Sequence, residues 1–146
     1  MEDQRHETFQ TFGWPGTCIR DYTHWSVLVR PVQVTLGAMV LISKSDATAY
    51  SDLPNDAFGE MGSVIKDIEQ AAGKAFGYQK INYLMLMMKD PQVHFHVLPR
   101  YKSPQSFASH QVDDIGWPGP PDLSSGPSDA AFVETVRQTL RDAWPT

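Results

Sequence analysis

The apolar positions of this chain change period along its length, and the changes mark out its elements. Residues 25–30 and 38–43 are β-rich apolar runs separated by Pro31 and Gly37, a pattern that predicts two strands paired antiparallel in a hairpin or meander. From Asn55 the period changes. Phe58, Met61, Ile65, Ile68, Ala72 and Phe76 recur at spacings of three and four, which predicts a long amphipathic helix. Asn55 suits its N-cap, Asp56 suits the first-turn dipole, and Gly77 is placed to close its C-terminus. Interior Gly59, Gly62 and Gly73 each weaken such a helix by up to about 1 kcal/mol, so packing rather than propensity must hold it. Residues 81–88, INYLMLMM, are apolar on both faces and read as a central strand, with Met85, Met87 and Met88 as core filling rather than soft-metal ligands.

A short link through Lys89, Asp90 and Pro91 then leads into the segment 90–101, DPQVHFHVLPRY. In an extended strand Gln92, His94 and His96 share one face while Val93, Phe95 and Val97 share the other. Pro91 and Pro99 bracket this strand, each a residue that ends ladder hydrogen bonding. Beyond Tyr101 the periodicity fades. Residues 102–127, including GWPGPPDLSSGP, are rich in Pro, Gly and Ser and read as an ordered loop in which Trp117 argues for packing. A short helix closes the chain, with Ser128 or Asp129 at its N-cap, Phe132, Val136, Leu140 and Ala143 on one face, and Pro145 as its stop. No internal repeat is visible.

Strand, strand, long helix, strand, strand is an α+β order. It predicts an antiparallel sheet of about five strands packed against one long helix, with a C-terminal loop and short helix. The 146 residues fit a single domain, 1–146, whose core spans about 20–101 and whose residues 102–146 form a loop-rich extension. A net charge of -5 argues against a general nucleic-acid binder. One cysteine, no secretory leader and no run of about 18 apolar residues predict a cytoplasmic protein without disulfides or a membrane span. Cys18 has no marked base beside it and reads as inert.

The candidate chemistry lies with His94 and His96. Two imidazoles on one strand face can act as nucleophile, proton carrier or metal ligand, while the apolar alternation anchors them to a core. A carbonyl or carboxylate accepting from Nδ1–H of one ring would leave its Nε2 as an attacking lone pair. A pair on the solvent face of an edge strand would do nothing. A metal site is the alternative chemistry, with a third ligand from His24, His110 or Asp90. His24 and His110 otherwise read as surface or packing residues, His110 being placed in a loop that could fold back over a pocket, and His6 lies in a tail expected to be mobile.

Gln92-Val-His94-Phe-His96-Val-Leu-Pro99-Arg100, preceded by two strands, a glycine, an amphipathic helix and another strand, resembles the histidine triad superfamily of nucleotide hydrolases and transferases. The likeness covers roughly residues 20–101 and is similar to a bacterial subset with Gln in the first motif position and a tail like GWPGPPDL. It implies that His94 attacks the α-phosphorus of a nucleotide conjugate, such as a dinucleoside polyphosphate or nucleoside phosphoramidate, to form a nucleotidyl-histidine intermediate. It implies that His96 lies against the phosphoryl oxygens, as a donor and as a proton source for the leaving group. Gln92 replaces the first histidine and preserves its function if, as in the family, the main-chain carbonyl orients the nucleophile. Ala38 stands where a fourth histidine is common, and Lys89 stands near a lost phosphate-contacting stretch that its charge could replace. Arg100 for the leaving group, Asn82 near the nucleotide and Arg30 near the ribose complete the implied set. The resemblance implies no obligatory metal or other cofactor, a homodimer joined through its sheets, and small nucleotides as partners. A nucleotide-binding protein whose catalysis has decayed is the remaining alternative.

Overall fold

In a computed structural model of the chain, residues 5–146 are described. A five-stranded antiparallel sheet has the order β1 (Cys18–Asp21), β2 (Trp25–Val29), β3 (Met39–Ser43), β5 (His94–Arg100), β4 (Lys80–Leu84). An N-terminal helix α1 (Glu7–Thr11) precedes it, α2 (Asn55–Phe76) lies between β3 and β4, and α3 (Ala130–Ala143) ends the chain. The fold class predicted from the pattern is the one observed.

The sheet is covered on both faces, which explains why every residue of β2 and β3 is buried. On one face Trp25, Val27, Met39, Leu41 and Val97 meet α2 through Ala57, Val64, Ile68, Ala71 and Ala72. Phe132, Val133, Val136 and Leu140 of α3 join the same apolar cluster, so the C-terminal extension shares the core of residues 20–101. On the other face Leu28, Val40 and Ile42 pack against Phe9 and Phe12, while Leu98 packs with Val34, Ala38 and Leu123.

Several local expectations need correction. Pro54 rather than Asn55 occupies the N-cap of α2, and no side chain caps that end. The buried stripe of α2 is rotated from the predicted one. The small residues Ala57, Ala71 and Ala72 let the helix approach the sheet, which leaves Phe58 exposed and Met61 and Ile65 at a flank beside Tyr50, Tyr83 and Phe95. Gly77 closes the helix as expected, with φ +65° and its N–H on the carbonyls of Ala72 and Gly73.

β4 is an edge strand, not a central one, and it ends at Leu84. Its apolar run continues for another reason: residues 85–88 leave the sheet, with Met87 at φ +54°, and Leu86, Met87 and Met88 form the wall of a cavity. The loop after Tyr101 contains a small hairpin, β6 (Gln105–Phe107) and β7 (His110–Val112), turned by Ala108 and Ser109 at positive φ. Strand β1 and helix α1, of four and five residues, are too short to show a period in the sequence.

Two close approaches fix the loops that border the functional face. Gly37 has φ +86°, and a Cβ there would meet the Phe76 ring at 2.9 Å. Gly126 lies against the main chain of Gln33, whose N–H donates to the Pro127 carbonyl at 2.8 Å. The C-terminal loop is thereby tied across the loop between β2 and β3, bringing Leu123 to the edge of the histidine cavity.

Candidate functional site

The register of β3 and β5 sets the two imidazoles. Val40 opposes His96 and Ile42 opposes His94, so both rings rise from the face away from α2. Their centroids lie 5.3 Å apart with planes at 80°, and the Phe12 ring stands 5.8 Å from His94 and 5.7 Å from His96. His94 is 2 % exposed and His96 8 % exposed, and both line a cavity of about 330 Å³. Thr11 and Phe12 from the N-terminal segment, Arg30, residues 86–90 and Leu123 complete its wall.

The hydrogen bonds differentiate the rings. Nδ1 of His94 lies 2.8 Å from the main-chain carbonyl of Gln92, and a carbonyl only accepts, so that nitrogen carries a proton. Nε2 is then the lone-pair position whenever the ring is neutral. The Gln92 side chain turns elsewhere, its Oε1 accepting from the Thr8 hydroxyl at 2.7 Å. Arg30 spreads its guanidinium over three segments. Nε reaches Nδ1 of His96 at 3.4 Å, Nη1 donates to the Val32 carbonyl at 2.9 Å, and Nη2 lies 3.5 Å from the Leu123 carbonyl. Among the described residues neither Nε2 has a hydrogen-bond partner.

Burial, the Arg30 charge and the neighbouring His94 together push the pKa of His96 down to about 4, in that order of importance. The ring is therefore neutral at pH 7. It suits a hydrogen-bond donor better than the proton source that the motif first implied, since a neutral imidazole is a very weak acid. Burial also lowers the pKa of Arg30, a group that stays charged at any ordinary pH.

The structure separates the predicted residues into two groups. His94, His96, Lys89 and Arg30 line one cavity, with Gln92 beneath it. Arg100 and Asn82 stand elsewhere. Arg100 is four residues beyond His96, about 13 Å along an extended strand. Its Nε and Nη2 hold Asp114 at 2.6 and 2.9 Å, Nη1 donates to the Asn82 side-chain oxygen at 2.7 Å, and Nη2 donates to the Gly119 carbonyl at 3.0 Å. The buried Arg100 commits four of its five N–H groups to these partners, and the Asn82 side-chain oxygen is committed to Arg100. Arg30 lines the cavity and faces His96 through Nε.

The other histidines lie away from the pair. His110 stacks at 4.3 Å on Phe132 of α3, on the helix-covered side, so its hairpin does not fold over the cavity. The His24 N–H donates to Glu60 of α2, and Lys44 donates to its carbonyl. His6 is docked, not mobile: Nε2 lies 2.6 Å from the Ser43 carbonyl and its ring packs on Phe9. Among the described residues no three His, Cys, Asp or Glu side chains come together as a metal site; of the suggested third ligands, His24 and His110 lie elsewhere, and Asp90 lines the cavity without forming such a group with His94 and His96. Cys18 is half-buried, and burial pushes its thiol pKa up, away from reactivity.

Sequence reasoning missed the wall supplied by Thr11, Phe12 and Leu123, and the support that Thr8 gives the Gln92 side chain. One signal was available. The tetrapeptide Gly-Trp-Pro-Gly occurs twice, at 13–16 and 116–119, and it follows the N-terminal segment and lies within the C-terminal loop that border the site.

With this geometry in place, the comparisons decide the family. The profile of the HIT domain matches residues 24–103, more than half of the chain, and includes both histidines. The chain belongs to the HIT domain family. Membership supports a nucleotide-binding or hydrolase-family function at this coarse level. Solved structures agree in fold. A histidine triad protein from Bradyrhizobium japonicum is 20% identical with a TM-score of 0.71, covering 97% of this chain and 98% of its own. One from Sinorhizobium meliloti is 17% identical with a TM-score of 0.70, covering 96% of each chain. A zinc-bound histidine triad family protein from Mycobacterium smegmatis is 18% identical with a TM-score of 0.64, covering 93% and 88%. No curated protein matches the chain. No described helix is long and apolar enough to cross a membrane.

Proposed function

We propose that the protein cleaves the α-phosphate linkage of a nucleotide conjugate, a dinucleoside polyphosphate or nucleoside phosphoramidate, through a nucleotidyl-histidine intermediate on His94. The observation that carries this reading is the bond from Nδ1 of His94 to the Gln92 carbonyl, which leaves Nε2 as a lone pair beside the cavity. Glutamine in the first motif position serves as well as histidine here because the main chain does the orienting. Nε2 attacks the α-phosphorus, an N–P bond forms, and the P–O or P–N bond to the leaving group breaks with its electron pair. The leaving group takes its proton from water. A second water then attacks phosphorus, the N–P bond breaks, and a nucleoside monophosphate departs while the proton of that water passes to solvent. His96 supports the charge on the phosphoryl oxygens as a neutral donor, and Lys89 adds a point charge at the cavity wall.

The same reading places the protein in the cytoplasm as a homodimer, and the open edge of β4 with Tyr50 and Phe58 exposed nearby supports the second point. Incubation with a labelled dinucleoside polyphosphate or phosphoramidate, followed by a quench and intact-mass measurement, is expected to reveal an acid-labile nucleotidyl adduct that His94→Ala lacks. Turnover undiminished in His94→Ala would overturn the assignment, and nucleotide binding without turnover in the wild type would leave a binding protein in place of the enzyme.

A further inference from the structure

We propose that Arg30 is a positioning residue that fixes the proton of His96 on Nε2, so that this ring presents an N–H to the phosphoryl group attacked by His94. The inference rests on the function proposed above for its catalytic meaning, but its structural content stands by itself. An arginine side chain has N–H donors and no acceptor. Its Nε lies 3.4 Å from Nδ1 of His96, so in this contact Nδ1 must be the acceptor. A neutral imidazole with an unprotonated Nδ1 carries its hydrogen on Nε2. The neighbouring ring is set the opposite way, because the Gln92 carbonyl demands a proton on Nδ1 of His94. Two imidazoles 5.3 Å apart thus present complementary Nε2 atoms to one cavity, a lone pair on His94 and a hydrogen on His96.

The guanidinium is well placed to hold this state. Nη1 and Nη2 are directed at the carbonyls of Val32 and Leu123, which pins the plane of the group and leaves Nε for the imidazole. The Leu123 contact also makes the arrangement dependent on the C-terminal loop. Arg30 is half-buried, and its charge opposes a second proton on His96, which keeps the ring a neutral donor. The resemblance implies a ribose contact for Arg30, whereas this proposal gives its Nε to the histidine.

Long-range proton–nitrogen NMR of the ligand-free protein with 15N-labelled histidine, assigned with a His96→Gln variant, reads the tautomer directly at pH 7. The expected result is an Nε2–H ring at His96, with Arg30→Met introducing the Nδ1–H form. In steady-state assays with a dinucleoside polyphosphate, Arg30→Met should lower kcat by about tenfold or more while KM moves less than about threefold, the pattern of a group acting on the transition state. An Nδ1–H ring at His96 in the wild type would overturn the proposal even if Arg30→Met does not fold. So would a folded Arg30→Met protein whose His96 remains wholly Nε2–H, or one whose KM rises with kcat unchanged, as a ribose contact requires. The NMR readout needs no substrate, so failure of the tautomer assignment and failure to form a nucleotidyl adduct are distinguishable.

Discussion

The two ends of one strand face in β5 carry polar groups of similar reach and opposite fate. At one end Arg100 is buried with four of its five N–H groups spent on Asp114, Asn82 and Gly119. At the other end His94 and His96 have their Nδ1 atoms engaged and their Nε2 atoms left open beside a cavity. The first arrangement commits most of the guanidinium within the protein and serves to lock residues 114–119 to the sheet. The second uses half of each ring for orientation and reserves the other half for chemistry. A motif that reads as one unit in the sequence, His-Phe-His-Val-Leu-Pro-Arg, therefore divides into a reactive end and a structural end.

Removing a group from each end should have different signatures. His94→Ala should reduce turnover by about 10³-fold or more in a nucleotide hydrolysis assay, because it removes the attacking atom, while the melting temperature stays near that of wild type. Arg100→Ala should do the reverse. It leaves the Asp114 carboxylate, its side chain 1 % exposed, buried without its partner, at a cost of about 3–5 kcal/mol in urea unfolding. The residual folded fraction of Arg100→Ala should keep its turnover per folded molecule. A loss of turnover without a loss of stability would move Arg100 to the reactive end.

The depressed pKa of His96 gives a smaller and pH-dependent effect. The unfolded chain binds a proton on this ring near pH 6.5, the folded chain only near pH 4, so the unfolded state holds more protons in between. Stability should fall as pH drops through that window, by about 3 kcal/mol from this ring. His96→Gln should show a shallower loss than wild type when urea midpoints at pH 7 and pH 4.5 are compared. Equal losses would mean that the ring is not held neutral by its surroundings. Smaller still, Thr8→Val should cost about 1 kcal/mol by leaving Oε1 of Gln92 unpaired, with little change in turnover, because the Gln92 carbonyl and not its side chain holds His94.

The same division explains what the sequence could tell. Alternation over residues 92–97 assigns both histidines to one face, and the long helix is visible in its three-and-four spacing, because both are local periodicities. The detailed facing of α2 is not local. Ala57, Ala71 and Ala72 face the sheet for close approach, and no hydrophobicity count ranks them above Phe58. Nor does the run 81–88 tell that it leaves the sheet after Leu84 to wall a cavity. The role of Arg100 depends on Asp114, a residue in a segment without periodicity, and the wall of the site depends on Phe12 and Leu123, which lie on either side of the motif at long range. Those contacts arise only when both termini fold onto one sheet face.

The central claim is that the open Nε2 of His94 becomes covalently bonded to phosphorus. The stereochemistry at that atom tests it most directly, with a substrate whose α-phosphorus is made chiral by sulfur and isotopic oxygen. Two successive in-line displacements, onto His94 and then onto water, predict overall retention of configuration in the nucleoside phosphorothioate product. Inversion would show a single displacement by water, and would contradict the account.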